Sequence, residues 1–380
     1  MQSKNILITG GLGFIGYEIC LHLLERQQKV TVLDNLSTQV HTEEEIAEKL
    51  ETLKKFSGFT FIKGDVRNYE DCAKAITGQE ILIHLAAETG TGQSMYEIAK
   101  YVDTNVMGTA NLLDVIVKNT IRLQRIILSS SRSVYGEGKY HCEEHGVSYP
   151  ATRKDEDMAK GLFDPLCEQC GKRLVSVATD EQSKINPVSV YATTKRQQEE
   201  LAFYANSILA IPYTIFRYQN VYGPGQSLQN PYTGILSIFS TRINNDRSIE
   251  IFEDGDESRD FVFIKDVVAA TVLPVFNESN TSSIINVGSG QAVSVMEVAE
   301  TLMKCYNHSI ELKVTGKYRV GDIRHNRADI NRLKELYSFT PKYNFEEGIQ
   351  HFANWVKTQS LEVDNYERSI AELKEKGLYK

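Results

Sequence analysis

Short apolar runs alternate with longer stretches of helical period along the first 130 residues. The runs are Asn5 to Thr9, Val30 to Leu33, Thr60 to Ile62, Ile81 to Leu85 and Arg125 to Ser129. Between them, Ile15 to Glu25, Glu43 to Lys55, Tyr69 to Ile76 and Met95 to Asn119 predict helices. Apolar strands separated by helices imply an α/β fold, with a doubly wound parallel sheet covered on both faces. The rhythm breaks over 137–182, a polar stretch that is neither helical nor strand-like over most of its length and is read as an insertion. It resumes with a helix over Val190 to Ser207 and a strand over Pro212 to Tyr218. Gly, Pro, Asn and Gln are frequent from Tyr222 to Gly234. Strand-like segments follow at Ser248 to Phe252 and Ser283 to Val287, an acidic turn runs from Glu253 to Glu257, and the remainder is mainly helical. Two domains are expected. Residues 1–198 form the first and carry the insertion. Residues 199–380 form a smaller α/β lobe over the strand ends, where open sheets bind ligands, with some segments returning to the sheet.

Composition narrows the function classes. With 380 residues, 41% hydrophobic and 24% charged, the chain has an ordinary globular balance and more length than one core needs. A net charge of −8 argues against broad binding to nucleic acid or anionic membranes, and leaves room for a local basic pocket. The apolar start Ile6-Leu7-Ile8 is too short for a signal-peptide core, and no stretch approaches the roughly 20 apolar residues of a membrane helix. A cytoplasmic protein is expected. Its six cysteines do not suggest a disulfide scaffold.

Gly10-Gly11-Leu12-Gly13-Phe14-Ile15-Gly16 follows the first strand and opens the first helix. The first glycine of the triplet 10, 13, 16 allows a tight turn, the second a close approach of backbone to pyrophosphate, and the third close helix–strand packing. The pyrophosphate would meet the free amides and positive dipole end of the helix. The second strand ends in Asp34, whose carboxylate can accept from an adenosine ribose and would repel a 2′-phosphate, so NAD is favoured over NADP. Asp65-Val66 after the third strand reads as an adenine contact or, for Asp65, as a helix N-cap. The first domain is thus Rossmann-type.

Tyr191 and Lys195 stand at i, i+4 on a predicted helix, which puts both on one face. A tyrosine hydroxyl has a pKa near 10 in water, and a neighbouring ammonium favours the phenolate. Such a group can take a proton from a sugar hydroxyl while a hydride leaves the same carbon. The run Ser129 to Ser133 directly follows an apolar strand, and a hydroxyl there can bond the reacting oxygen, while one or two of these serines cap the strand end.

With these motifs the chain resembles the extended short-chain dehydrogenases/reductases of the nucleotide-sugar epimerase and dehydratase group. The matching elements are Gly10 to Gly16, Asp34-Asn35, Asp65-Val66, His84-Leu85-Ala86-Ala87, Asn105, the serine run, Tyr191 to Lys195, Arg217 to Asn220, Arg259-Asp260-Phe261 and Arg319 to Asp322. The resemblance implies Tyr191 as base, Lys195 as its activator and ribose ligand, and Ser131 as the holder of the 4-oxygen. It implies cofactor contacts from Gly10, Gly13, Phe14, Ile15, Gly16, Asp34, Asn35, Asp65, Val66, Leu85, Ala86, Ala87, Asn105, Ser129 and Tyr218. Asn220, Arg259 and Arg319 would hold the substrate diphosphate, with Arg132 and Asp322 beside them, as suits the preference of arginine for phosphate. A homodimer through the helices Met95 to Asn119 and Val190 to Ser207 is implied as well.

Dehydratases of the group carry Asp-Glu after the catalytic hydroxyl residue. Here Arg132 and Ser133 stand there, and neither is a good acid or base at neutral pH. Epimerase and reductase remain, and Asp34 tilts the reading towards an epimerase that recycles NAD in place. The run Ser131 to Tyr140 and the cysteines that follow resemble bacterial enzymes that interconvert dTDP-L-rhamnose and dTDP-6-deoxy-L-talose. The sugar and nucleotide rest on that resemblance alone.

Within the insertion, Cys142-Glu143-Glu144-His145 and Cys167-Glu168-Gln169-Cys170 each have the x2 spacing that turns two side chains onto one ion. Three sulfurs and one nitrogen make a closed set suited to structural zinc. Gly146 and Gly171 follow the two pairs, and Cys-x2-His prefers His145 to its neighbour His141. Free cysteines in a loop and a redox Cys-x-x-Cys are the other readings. The redox pair normally needs a thioredoxin-like strand–helix junction, which this stretch lacks.

Overall fold

A computed structural model of the chain describes residues 3–228, 234–359, 366–377 and 379–380. Residues 229–233 of the expected Gly/Pro/Asn-rich stretch lie outside the described residues. The first strands are β1 (Asn5–Thr9), β2 (Lys29–Asp34), β3 (Phe59–Lys63), β4 (Ile81–His84) and β5 (Arg125–Ser131). Helices α1 (Phe14–Glu25), α2 (Glu43–Leu53) and α3 (Tyr69–Ile76) connect the earlier ones. Thr42 starts α2 with a reciprocal capping box to Glu45, and Asn68, not Asp65, caps α3 by accepting from the amides of Glu70 and Asp71.

The predicted helix Met95 to Asn119 is broken. After a short helix α4 (Thr91–Ser94) that precedes it, its range contains α5 (Ile98–Tyr101), a π-helical turn (Val102–Met107) and α6 (Gly108–Lys118). The insertion, expected to be irregular, contains β6 (Tyr140–Cys142), β7 (Gly146–Ser148), the short helix α7 (Asp155–Met158) and β8 (Val175–Ser176). Both β7 and β8 pair antiparallel with β6. Two- and three-residue strands are too short to print an alternating pattern on the sequence.

The chain continues through α8 (Val190–Leu209), β9 (Tyr213–Tyr218), β10 (Asn220–Tyr222), β11 (Ile249–Ile251), β12 (Ser258–Arg259), β13 (Phe261–Phe263) and β14 (Ser283–Val287). The main sheet has the order β14-β9-β5-β4-β1-β2-β3, with parallel pairing from β9 across to β3. Ile6, Leu7, Ile8, Val30, Val32, Ile81, Leu82, Ile83, Ile126 and Ile127 are all buried, which is why these strands read as unbroken apolar runs.

The chain divides into two compact units. The first comprises Met1–Ser131, Val190–Tyr218 and Val267–Ile285; the second Arg132–Ser189, Gln219–Asp266 and Asn286–Lys380. The boundary drawn at 198 matches neither unit, because α8 and β9 both belong to the first, and the insertion belongs to the second.

Candidate functional site

In the first unit, the glycine turn joins β1 to α1 at the sheet's C-terminal edge. Gly10 adopts φ +70°, and a Cβ on it would lie 2.9 Å from the Ala86 backbone. A Cβ on Gly16 would lie 2.2 Å from the Gly10 carbonyl oxygen, so both positions require glycine. Gly13 is the N-cap of α1 and has no side chain to satisfy the amides that open the helix, at Phe14, Ile15 and Gly16. Asp34, at the end of β2, accepts from the Leu12 amide at 3.0 Å and the Leu36 amide at 2.9 Å, which aims its carboxylate beside the turn. Burial pushes its pKa up against these two bonds. Asn35 donates to Asp65 at 2.9 Å, and Arg67 grips Asp65 with two further bonds. Burial would raise the Asp65 carboxyl, but the hydrogen bonds from Arg67 and Asn35 outweigh it and bring it down to about 2. Val66 is buried beneath α6, where its side chain fills the space a Cβ on Gly108 would take.

The next strand end is organised by a buried imidazole. His84 bonds Thr9 Oγ1 at 2.7 Å and Thr109 Oγ1 at 2.9 Å. The Thr9 hydroxyl also accepts from the amides of Leu85 and Ala86, fixing the 85–87 segment over the glycine turn. Burial, with the Lys195 charge nearby, lowers the His84 pKa to about 3, so the ring is neutral. Asn105 lies inside the π-helical turn. It accepts from the Glu88 amide at 2.7 Å and donates to the Glu88 carbonyl at 3.1 Å and to Thr194 Oγ1 at 2.9 Å.

Tyr191 opens α8 and packs edge-on to Tyr101, with ring centroids 6.4 Å apart. One turn later, Lys195 donates to the Ser129 carbonyl at 2.9 Å. Burial lowers the Lys195 pKa to about 7, and Glu199 opposes that shift. The serine run therefore lies against the Tyr191–Lys195 helix at Ser129. The Ser129 hydroxyl donates to the His84 carbonyl at 3.2 Å, Ser130 donates to Glu199 at 2.6 Å, and Ser131 closes β5 in register with Tyr218. Tyr218 is buried, with its hydroxyl 2.7 Å from Thr271 Oγ1. Glu199 is a member of this assembly that motif reading passed over, although it stands at i+4 from Lys195 on the same face.

In the second unit, Arg132, Asn220, Arg259, Arg319 and Asp322 come together. Arg132 Nε donates to Asn220 Oδ1 at 3.2 Å. Arg259 donates to Asp322 Oδ1 at 2.8 Å and to the carbonyls of Ser258, Ile323 and Arg324. The Arg319 guanidinium lies 4.9 Å from the centre of the Phe252 ring, and its buried Nε has no hydrogen-bond partner among the described residues. Burial would raise the Asp322 carboxyl, but Arg259, Arg319, Arg153 and Arg132 together hold it below the usual carboxylate range. Arg153 is neutralised by Glu253 and Glu137, and Glu257 also faces Arg259, while Arg132, Arg259 and Arg319 share Asp322 and are the side chains of this group suited to an anion. Arg153 was not foreseen, since nothing near it in sequence marks it out.

The insertion gathers Cys142, His145, Cys167 and Cys170, whose ligand atoms all lie within 4.8 Å of one another. Cys142 Sγ is 3.6 Å from both His145 Nδ1 and Cys170 Sγ, and Cys167 Sγ is 3.6 Å from the same nitrogen. Ligands at 2.3 Å (sulfur) and 2.0 Å (nitrogen) on a tetrahedral zinc stand about 3.5–3.8 Å apart, so the donor set fits that ion. Gly146 (φ +73°) and Gly171 (φ +71°) make the two knuckle turns.

Residues 6–288 match the model of the NAD dependent epimerase/dehydratase family. A dTDP-L-rhamnose 4-epimerase of Burkholderia thailandensis is 36% identical over 367 residues, 96% of this chain and 98% of that protein. A putative UDP-glucose 4-epimerase of Methanocaldococcus jannaschii is 30% identical, covering 93% of this chain and 99% of that one. The UDP-glucuronic acid 4-epimerase of Bacillus cereus, solved with UDP-glucuronic acid and NAD, superposes with a TM-score of 0.76 at 26% identity, over 93% of this chain and 98% of that one.

Proposed function

Because the chain belongs to the NAD-dependent epimerase/dehydratase family, we propose that it is a nucleotide-sugar 4-epimerase whose substrate pair is dTDP-L-rhamnose and dTDP-6-deoxy-L-talose. The observation that carries the chemistry is the 2.9 Å bond from Lys195 Nζ to the Ser129 carbonyl. It holds the Lys195 amino group, which burial brings to a pKa of about 7, one helical turn from Tyr191 and puts it on the carbonyl two residues before Ser131. In this reading Tyr191, as phenolate, takes the proton of the C4 hydroxyl, and Ser131 hydrogen-bonds the same oxygen. NAD, when bound, supplies the redox chemistry at C4, accepting two electrons and returning them. The uncapped amides at the start of α1 and the Asp34 carboxylate are suited to its pyrophosphate and ribose. The 4-keto sugar turns its other face before Tyr191 returns the proton.

Arg132 and Ser133, where a dehydratase would need its acid and base, offer no carboxyl group, and Arg132 is engaged by Asn220. Arg319, grouped with Arg132 and Arg259 around Asp322, is read here as holding the substrate diphosphate with Asn220 and Arg259. The deoxysugar and the thymidine rest on similarity to the Burkholderia enzyme. We further read the Cys/His cluster as a closed structural zinc site. We read the chain as a cytoplasmic homodimer through the 95–119 segment and α8, which expose Met95, Ile98, Val102, Met107 and Tyr204.

The test is incubation of the purified protein with dTDP-L-rhamnose and no added cofactor, followed by proton NMR. A 4-epimer signal without net NADH is expected. Turnover only of UDP-sugars would replace the substrate, and reaction only of a 4-keto sugar with added NAD(P)H would replace epimerase by reductase.

A further inference from the structure

The insertion ends in a compact lattice of buried ion pairs that no part of the chemistry above uses. Arg153, in the irregular stretch between β7 and α7, is almost fully enclosed. It donates to the Phe163 carbonyl at 3.1 Å, to Glu253 at 2.8 Å and to the Asp322 backbone carbonyl at 2.9 Å, and its Nε lies 3.3 Å from Glu137. Arg324, two residues beyond Asp322, is fully buried and mirrors it. Its side chain bonds Asp164 at 3.0 Å, Glu253 at 2.9 Å and Asp254 twice at 2.7 Å, while its amide donates to Glu137 at 2.8 Å. Glu137, Arg153 and Asp164 of the insertion thus clamp both sides of Asp322-Ile323-Arg324. These are the residues whose carboxylate and carbonyls hold the Arg259 guanidinium.

The Cys/His cluster sits at the other end of the same two strands of chain. Tyr140, which donates to Glu137 at 3.2 Å, is two residues before Cys142, and Asp164 is three residues before Cys167. Tyr140, Cys142, Cys167 and Leu174 pack into one small buried cluster. We propose that the insertion is a metal-tied brace for the anion-binding arginines, in which Arg153 is a positioning residue that sets Arg259 and Asp322 for a nucleoside diphosphate. This rests on reading 319–322 and Arg259 as the diphosphate site. An ion at Cys142, His145, Cys167 and Cys170 fixes both knuckles, and through them the spacing of Glu137 and Asp164 across Arg324. Arg153, with every nitrogen turned to protein groups, acts through the Asp322 backbone rather than on the ligand itself.

The experiment compares the wild type with Arg153→Lys and Arg153→Gln. It measures zinc per chain by metal analysis, bound NAD by absorbance, dTDP and UDP affinity by calorimetry, and KM and kcat separately. Both variants should keep one zinc and full NAD. Nucleoside-diphosphate affinity should fall about tenfold or more, and KM should rise with kcat little changed, as expected when a binding group is misplaced without loss of the chemical groups. Lysine should recover part of the loss that glutamine shows. Unchanged affinity and KM in Arg153→Lys would overturn the positioning role. Stripping zinc from the wild type with a chelator tests the other half, and the same fall in dTDP affinity with NAD retained is expected. Less than about 0.2 zinc per chain as purified and after zinc addition would overturn the metal tie. If the wild type binds neither dTDP nor UDP, the reading of the arginines as a diphosphate site fails first. Should Arg153→Gln not fold, Asp164→Asn, which weakens the bond to Arg324 and the half-exposed ion pair with Arg173, gives the same readout.

Discussion

Arg217 and Glu199 meet through two parallel hydrogen bonds, 2.9 and 2.8 Å long, in a position where neither side chain reaches solvent. The pair joins β9 to α8 one turn beyond Lys195, and Glu199 also receives the Ser130 hydroxyl. A buried pair of this kind adds little over a well-packed apolar pair, but loss of one partner strands a charge and costs about 3–5 kcal/mol. Glu199 also takes Arg196 Nη1 at 3.1 Å, so Arg217→Met leaves it half-compensated and should be destabilised by less than that, and Arg217→Met with Glu199→Leu should recover part of the loss. Denaturant unfolding of the two variants checks this, and an equal loss in both would show that the charges are not coupled.

Tyr191→Phe should keep bound NAD and lose about 10³-fold in turnover. Its hydroxyl is the proton acceptor in the proposed reaction, while its ring packing against Tyr101 survives the change. A variant that turns over at the parental rate would assign the proton to another group.

Glu257 provides a pH test with a definite sign. Burial first, and Glu253 second, raise its carboxyl from 4.5 to about 7. Between these values the folded protein holds a proton that the unfolded chain has lost. The contribution to stability is thus fully present below pH 4.5 and is lost as pH rises through 7. Glu257→Gln, which cannot ionise, should match the wild type near pH 5 and exceed it by about 2 °C in Tm at pH 8. A gap independent of pH between 5 and 8 would mean that Glu257 does not titrate there.

For the metal cluster, one zinc per chain is expected, with Cys167→Ser losing it and melting lower. A chelator should lower the Tm of the wild type and leave that of Cys167→Ser unchanged. Equal chelator effects on both would place the ion elsewhere.

Much of the architecture is legible in the sequence, and the limits of that legibility are physical. β1, β14 and α3 match their predicted bounds, because strands buried on both faces are continuous apolar runs and an amphipathic helix with an Asn cap marks its own start. The Cys and His pairs were visible because knuckle spacing is local. Arg153 was not, since its counter-charge Glu253 lies 100 residues away and a lone arginine in a polar stretch looks solvated. The break at Val102–Met107 was hidden because apolar side chains on either side keep the helical period; the buried Asn105 is its only mark in the sequence.

That π-helical turn carries a further consequence for how the chain tolerates length changes. A wider turn accommodates one residue more than an α-helical turn over the same rise. Removing a single residue from 102–107 would let the α-helix run straight through α5 and α6 with its two ends still facing as they do, so that Thr109 stays on His84. What goes is the wide turn itself, and with it the position from which Asn105 reaches Glu88 and Thr194. The extra residue thus separates two properties of the segment: a one-residue deletion there should leave the packing on either side in place and remove only the tie that Asn105 makes.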